Sequence, residues 1–334
     1  MGIENEDMEA FGRALQEMEH LQVFRRAGVH AESWSSMRSA AHQHSLVAEC
    51  TWPNCSATPV GSHTIAKGSG LAPLAVGGHV LMPRLIPRPA TMVKRGLQHQ
   101  ATVYPGYCVE HEQRFGVFER LGVLETTEHV ALQLFRSASR EIWNKRRWFD
   151  YFDTLQRQYQ EILIVNPIRD VPLDLADRVL RPLENQMHRT RDELDLLAAI
   201  WQICWALSGI EGTPQFDIHP ESIKRLAIDT SRNIALSGST FIAVSGPGTE
   251  RYNRWPVVLA MLPTATGVDC IFATLPAMAN QYEAELLLRI NQLGGDRVVD
   301  EWLTSTEWWC ADPEWWETTD SAWRRSILHR LDSV

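Results

Sequence analysis

The chain has 334 residues, a formal net charge of −9 and an isoelectric point near 5.8, and a chain of this size is expected to divide into two or three folding units, since single cores rarely grow past about 250 residues. Hydrophobic residues at 44% and charged residues at 22% form the ordinary globular mixture, which excludes wholesale disorder. The acidity excludes a protein that coats nucleic acid through a general positive field, and no run approaches the roughly 18 uninterrupted apolar residues of a membrane span.

The opening "MGIENEDMEAF" has neither the basic start nor the apolar run of a secretory signal, so a cytoplasmic location is expected. Met8, Phe11, Leu15, Met18 and Leu21 recur at helical spacing and predict a helix over residues 5 to 26, within an N-terminal segment 1–29. From about residue 30 to 106, within a segment 30–125, Gly, Pro, Ser and His crowd the chain, as in "TWPNCSATPVGSHTIAKGSG" and "MPRLIPRPA". So long a loop-rich stretch needs an organiser other than a hydrophobic core, and a bound metal would serve.

The candidate ligands lie in that stretch. Cys50 and Cys55 are separated by four residues on a turn-rich segment, and Cys108 and His111 by two at the start of a helix. Three soft thiolates and an imidazole suit tetrahedral zinc. The long insertion between the pairs is acceptable if it packs on the rest of the chain, because loop-closure cost grows slowly with length. The other three cysteines read as buried hydrophobes or stand alone: Cys204 in "AAIWQICWALSG", Cys270 in "GVDCIFATL" and Cys310 in a tryptophan-rich tail. Lys67, Arg84, Arg88, Lys94, Arg95, Arg114 and Arg120 against Glu110, Glu112 and Glu119 make this neighbourhood positive, either a solvated face or a local surface for nucleic acid.

An early Cys pair, a histidine after a short spacer, and a Cys-x2-His pair opening a helix resemble the treble-clef zinc fold, in particular its HNH-like nuclease branch, over about residues 48 to 120. The pattern is similar also to that of a group of uncharacterised bacterial proteins. The resemblance implies a structural zinc on Cys50, Cys55, Cys108 and His111, and in "GSHTIAKGSGL" it implies His63 as general base for water attacking a phosphodiester, with a second divalent ion such as Mg. Ser62 occupies the position where that branch has Asp, and Asn54, His79 and His99 are the neighbouring candidates for the second ion. Read from the residues alone, His63 can be a base, a zinc ligand or a structural side chain.

Residues 126–210 read as helical: an apolar stripe runs from Leu132 to Ile162, and a second helix opens at "TRDE" with Thr190 as cap and Glu193 completing a capping box, ending at Gly209. Within the first, "EIWNKRRWFD" interleaves Lys145, Arg146 and Arg147 with Trp143 and Trp148, a pattern for phosphate binding and base stacking or for a solvated face beside a core tryptophan. Residues 211–334 switch to strand patterns in "NIALSGSTFIAVSG" and "RWPVVLAMLPTATGVDCIFATLP", then a helix from about Ala279 to Leu293. The adjacent pairs Trp308–Trp309 and Trp315–Trp316 cannot all face one interior, which points to a second element, a protein partner or self-association. "SGPG" at 245 to 248 reads as a turn, and no phosphate-cradling glycine loop or nucleophile elbow is present.

The expectation is an α+β protein with a loop-rich treble-clef-like zinc segment, long helices, and a small antiparallel sheet with C-terminal helices. Two functions are compatible with it: a metal-dependent HNH-like nuclease, serving for instance in bacterial defence, and a non-catalytic zinc-stabilised binding or effector protein.

Overall fold

A computed structural model describes residues 11–14, 37, 40–41, 44, 49–85, 89–161, 163, 173–210, 219–243, 254–306 and 308–333. Most of the expected N-terminal helix and the "SGPG" turn lie outside the described residues; Phe11 to Ala14 are helical, with Phe11 and Ala14 fully buried.

The elements in chain order are β1 (Gly61–His63), β2 (His79–Arg84), β3 (Thr91–Gly96), β4 (Val103–Pro105), α1 (Val109–Glu112), α2 (Gly116–Glu119), α3 (Thr127–Gln160), α4 (Leu173–Leu207), β5 (Ile223–Asp229), β6 (Ile234–Ala243), β7 (Arg254–Thr264), β8 (Gly267–Ala273), α5 (Pro276–Leu293), α6 (Gly295–Leu303), β9 (Trp309–Ala311), α7 (Pro313–Thr318) and α8 (Ser321–Ser333). A π turn covers Lys67–Leu71. The class is the expected α+β. The main sheet is larger than expected: seven antiparallel strands in the order β3-β2-β9-β6-β7-β8-β5. Two of its strands come from the stretch that reads as loop.

Two compact units divide the chain, Met1–Val47 with Trp143–Asp195 and Ala48–Ile142 with Leu196–Val334, so two of the three borders fall within the long helices. The first unit has its own core of Phe11, Phe152, Tyr159, Val179 and Leu183. The helix expected to open at Thr190 begins instead at Leu173 and carries Pro182 inside it. Thr190 is buried mid-helix and its Oγ1 donates to the carbonyl of Gln186, 2.8 Å away. A threonine bonding back by one turn satisfies its hydroxyl inside a helix as well as at its start. The far end matches expectation, with Gly209 at φ +67° just past Leu207.

Lys145 pairs with Glu193, and Arg147 lies buried with its guanidinium 4.5 Å from the centre of the Trp143 ring. That guanidinium is packed and hydrogen-bonded to the Ala41 carbonyl, so the interleaved basic–aromatic run is part of its own unit rather than an open stacking platform.

In the second unit the sheet is covered on both faces. Leu236, Leu259, Met261, Phe272 and Leu81 point toward α5 to α8, where Leu286, Val299, Trp302, Trp316 and Ile327 complete one core. β8, "GVDCIFA", is buried along its whole length, as a strand covered on both faces should be. The tryptophan-rich tail supplies β9, which pairs with both β2 and β6, and buries Trp309 completely. Its neighbour Trp308 turns to the other face and receives the Arg140 guanidinium at 4.0 Å. The second element that the Trp pairs require is thus inside the same chain: Trp315 packs on Trp316 and Trp323, and Arg232 lies 4.4 Å over Trp323. Cys204, Cys270 and Cys310 are buried thiols whose ionisation burial pushes up.

Candidate metal centre

The opposite face of the sheet carries the metal segment. β1 and β4 form a two-stranded antiparallel sheet in which Ser62 faces Tyr104 and His63 faces Val103. Before it lies a knuckle. Cys50 N–H donates to Ala57, Cys55 N–H to Trp52, and Asn54 takes the left-handed conformation at φ 59° that a tight reversal needs and asparagine tolerates. After β4, Cys108 stands at the N-cap of α1 and the Glu112 N–H closes the first turn on its carbonyl. Thr51 N–H to Gly106 and Val60 N–H to Tyr107 stitch knuckle to helix entry.

This brings together the four residues singled out by spacing. The sulfurs of Cys50, Cys55 and Cys108 and a nitrogen of His111 all lie within 4.8 Å of one another. His111 Nδ1 is 3.3 Å from Cys108 Sγ and 3.5 Å from Cys50 Sγ. Zn–S near 2.3 Å and Zn–N near 2.05 Å at a tetrahedral angle would separate S and N by about 3.6 Å. The donor set and its spacing therefore fit a tetrahedral ion. Burial pushes the Cys50 thiol up to about 11, and the backbone N–H of His111 holds the Cys108 thiol below its ordinary value. The Cys108 N–H also donates to Cys50 Sγ at 3.2 Å, a bond that favours thiolate there once a cation is bound.

Around these ligands the packing is aromatic. Trp52 stacks on His111 with centroids 4.5 Å apart, and meets Tyr107, Phe115 and Phe135 edge-on. Tyr107 is fully buried, its hydroxyl donating to Ser139 Oγ at 2.7 Å.

His63 is not one of the four clustered ligands. Its Nδ1 lies 2.8 Å from the carbonyl of Ala101, which only accepts, so Nδ1 carries the proton and the neutral ring keeps its lone pair on Nε2. Burial lowers its basicity, and the charge of Arg136 acts in the same direction. Among the described residues Nε2 has no hydrogen-bond partner. The other candidates are placed differently: His79 is exposed and bonds its own turn at Gly77, His99 is exposed in the turn after β3, and Asn54 sits in the knuckle.

A charged group that spacing does not reveal lies between the metal helix and His63. Arg136 of α3 is buried, donates to Glu119 at 2.6 Å and to Glu112 at 3.1 Å, and lies 4.1 Å over Phe115. Burial works against its charge, and the two carboxylates more than restore it. The other oxygen of Glu119 accepts from the Gly68 N–H at 3.0 Å. Gly68 must be small there, since a Cβ would meet the Glu119 carbonyl oxygen at 2.2 Å. Buried Gln133 ties the same turn to α3, accepting from Ala66 N–H and donating to the Thr64 carbonyl. Arg136 and Gln133 interrupt the apolar stripe of α3 at buried positions, which is the one trace of them in the sequence.

Comparison of the chain with protein-family models, with curated proteins and with solved structures finds no match.

Proposed function

We propose that the chain is a zinc-stabilised binding or effector protein, in which one structural zinc held by Cys50, Cys55, Cys108 and His111 organises a treble-clef-like segment of knuckle, paired strands and helix. The observation that carries this reading is the convergence of three sulfurs and one ring nitrogen within 4.8 Å in a segment with little regular structure. Such an ion contributes directly to folding. Glu119, whose charge acts on His63, and Glu112 also favour a non-catalytic role, because each is paired with the buried Arg136. Elemental analysis of the purified chain tests the reading, with a single zinc per chain expected; a metal-free chain after purification without chelators would overturn it.

A second reading, an HNH-like metal-dependent nuclease, rests on His63. Its Nδ1–H is held by a carbonyl and its ring is kept neutral by burial, the state a general base needs. Cleavage assays on plasmid and single-stranded substrates with Mg, Mn and Ni, comparing the chain with His63→Ala, decide it; inactivity with all three ions removes this reading.

A further inference from the structure

No aspartate or glutamate occurs between Glu49 and Glu110, in a chain whose net charge is −9. Within that acid-free stretch β2 and β3 form the end of the main sheet, and among the described residues β3 is its terminal strand, with no partner strand on its outer side. Arg84 and Lys94 are exposed and Arg95 is half-buried. Among the described residues these three make no ion pair, whereas Lys224, Arg225, Arg232, Arg289 and Arg324 on the same unit each meet a carboxylate.

The register places the charges. Arg84 lies opposite Thr91 and Arg95 opposite Val80, on the sheet face that also carries Met82. Met82 Sδ accepts the Thr102 N–H, so this is the face that holds the metal segment and the Ala101 carbonyl bound to His63. Arg84 is aligned along the strand by its bond to Thr91 Oγ1 at 3.3 Å. Thr91 and Arg95 are four residues apart, about 13 Å at strand rise. Lys94 projects to the other side of the same edge.

We propose that the β2–β3 edge binds the phosphate backbone of a nucleic acid through Arg84, Lys94 and Arg95, which names the partner of the binding protein proposed above and rests on that reading. Arg84 and Arg95 on one side of this edge and Lys94 on the other are cations without an ion pair among the described residues, and the carboxylate at this end of the sheet, Asp332, is bonded to the Ala90 N–H; such a group of cations suits the anions of a phosphate backbone, and local potential rather than net charge governs such contacts. Basic residues on edge strands also hinder edge-to-edge pairing of sheets. The experiment separates the two roles.

The zinc-loaded full chain is titrated by fluorescence anisotropy against short labelled oligonucleotides, single-stranded and duplex, over a series of salt concentrations. Three phosphate contacts predict that Arg84→Ala/Lys94→Ala/Arg95→Ala weakens binding at least about tenfold near 0.1 M salt and flattens the log–log salt slope by about 2 to 3. The control Lys224→Ala/Arg324→Ala/Arg330→Ala removes the same charge elsewhere and is expected to bind as the wild type. Absence of oligonucleotide binding by the wild type, equal loss in both variants, an unchanged affinity of the edge variant, or complete displacement of oligonucleotide by an equal charge of polyglutamate would each overturn the proposal. Zinc content is measured on every sample. A chain with one zinc and no oligonucleotide binding fails this inference alone, and a zinc-free chain fails the zinc reading whichever way the titration falls.

Discussion

The rings of Trp52 and His111 are stacked 4.5 Å apart and 6° from parallel, so a residue of the knuckle fixes the orientation of the His111 ring on the helix. The packing that orients a ligand ring contributes to metal affinity although it touches no metal, and loss of such support typically costs about 10- to 100-fold. Trp52→Ala is expected to weaken zinc binding by about that factor, with Trp52→Phe retaining most of it. Competition with a chromophoric chelator reads the affinity; equal binding by all three proteins would contradict the supporting role.

Removal of the ion should unfold the segment it organises. Chelation of wild type, or Cys108→Ala without chelator, is expected to abolish stoichiometric zinc and the near-ultraviolet circular dichroism from Trp52 and Tyr107. Acidification should release the ion as well, since thiolate ligands and protons compete. Retention of the aromatic signal without metal would show that packing alone holds the knuckle.

Arg136 is the side chain whose loss should cost most outside the ligands. Arg136→Ala leaves Glu112 and Glu119 facing a buried site without their cation, an arrangement that costs on the order of 3–5 kcal/mol. Arg136→Met with Glu112→Gln and Glu119→Gln removes charge on both sides and should recover much of that loss. Urea denaturation of the zinc-loaded proteins measures both; a single mutant as stable as wild type would exclude a stabilising ion pair.

His63 predicts a pH dependence with a definite sign. Its folded-state pKa lies below the ordinary histidine value because of burial, so the unfolded chain takes up the proton first as the pH falls. Its contribution is present above about pH 6.5 and declines below it, toward the depressed folded value. His63→Gln should keep the zinc, since His63 is outside the ligand cluster, and should show a shallower loss of stability between pH 7 and pH 5. Loss of zinc in this variant would make His63 a ligand.

Gly68→Ala should act on the π turn without touching a ligand. The added methyl carbon would meet the Glu119 carbonyl oxygen at 2.2 Å and force the turn away from α2, breaking the Gly68 N–H bond to Glu119. A destabilisation of about 1–3 kcal/mol with zinc content unchanged is expected. Hydrogen exchange at Gly68 and Gly70 locates it.

The sequence by itself determined which cysteines and histidine come together, the helical middle and the end of α4 at Gly209. Each is a local signal: cysteine and histidine at fixed spacing in a turn-rich segment, a 3.6-residue period, and a glycine where φ must be positive. Only the tertiary structure decided the rest. "TRDE" has the form of a capping box, yet the residues before it continue the helix and the Thr190 hydroxyl finds a carbonyl inside it. β2 and β3 look like loop because the sheet that holds them is joined through β9, a strand more than two hundred residues away. That distant strand also places the tryptophan tail in the core. Arg136 with Glu112 and Glu119 was invisible for the same reason: whether a charge is solvated or buried against two others depends on which helix covers it, and one chain read in order does not record that.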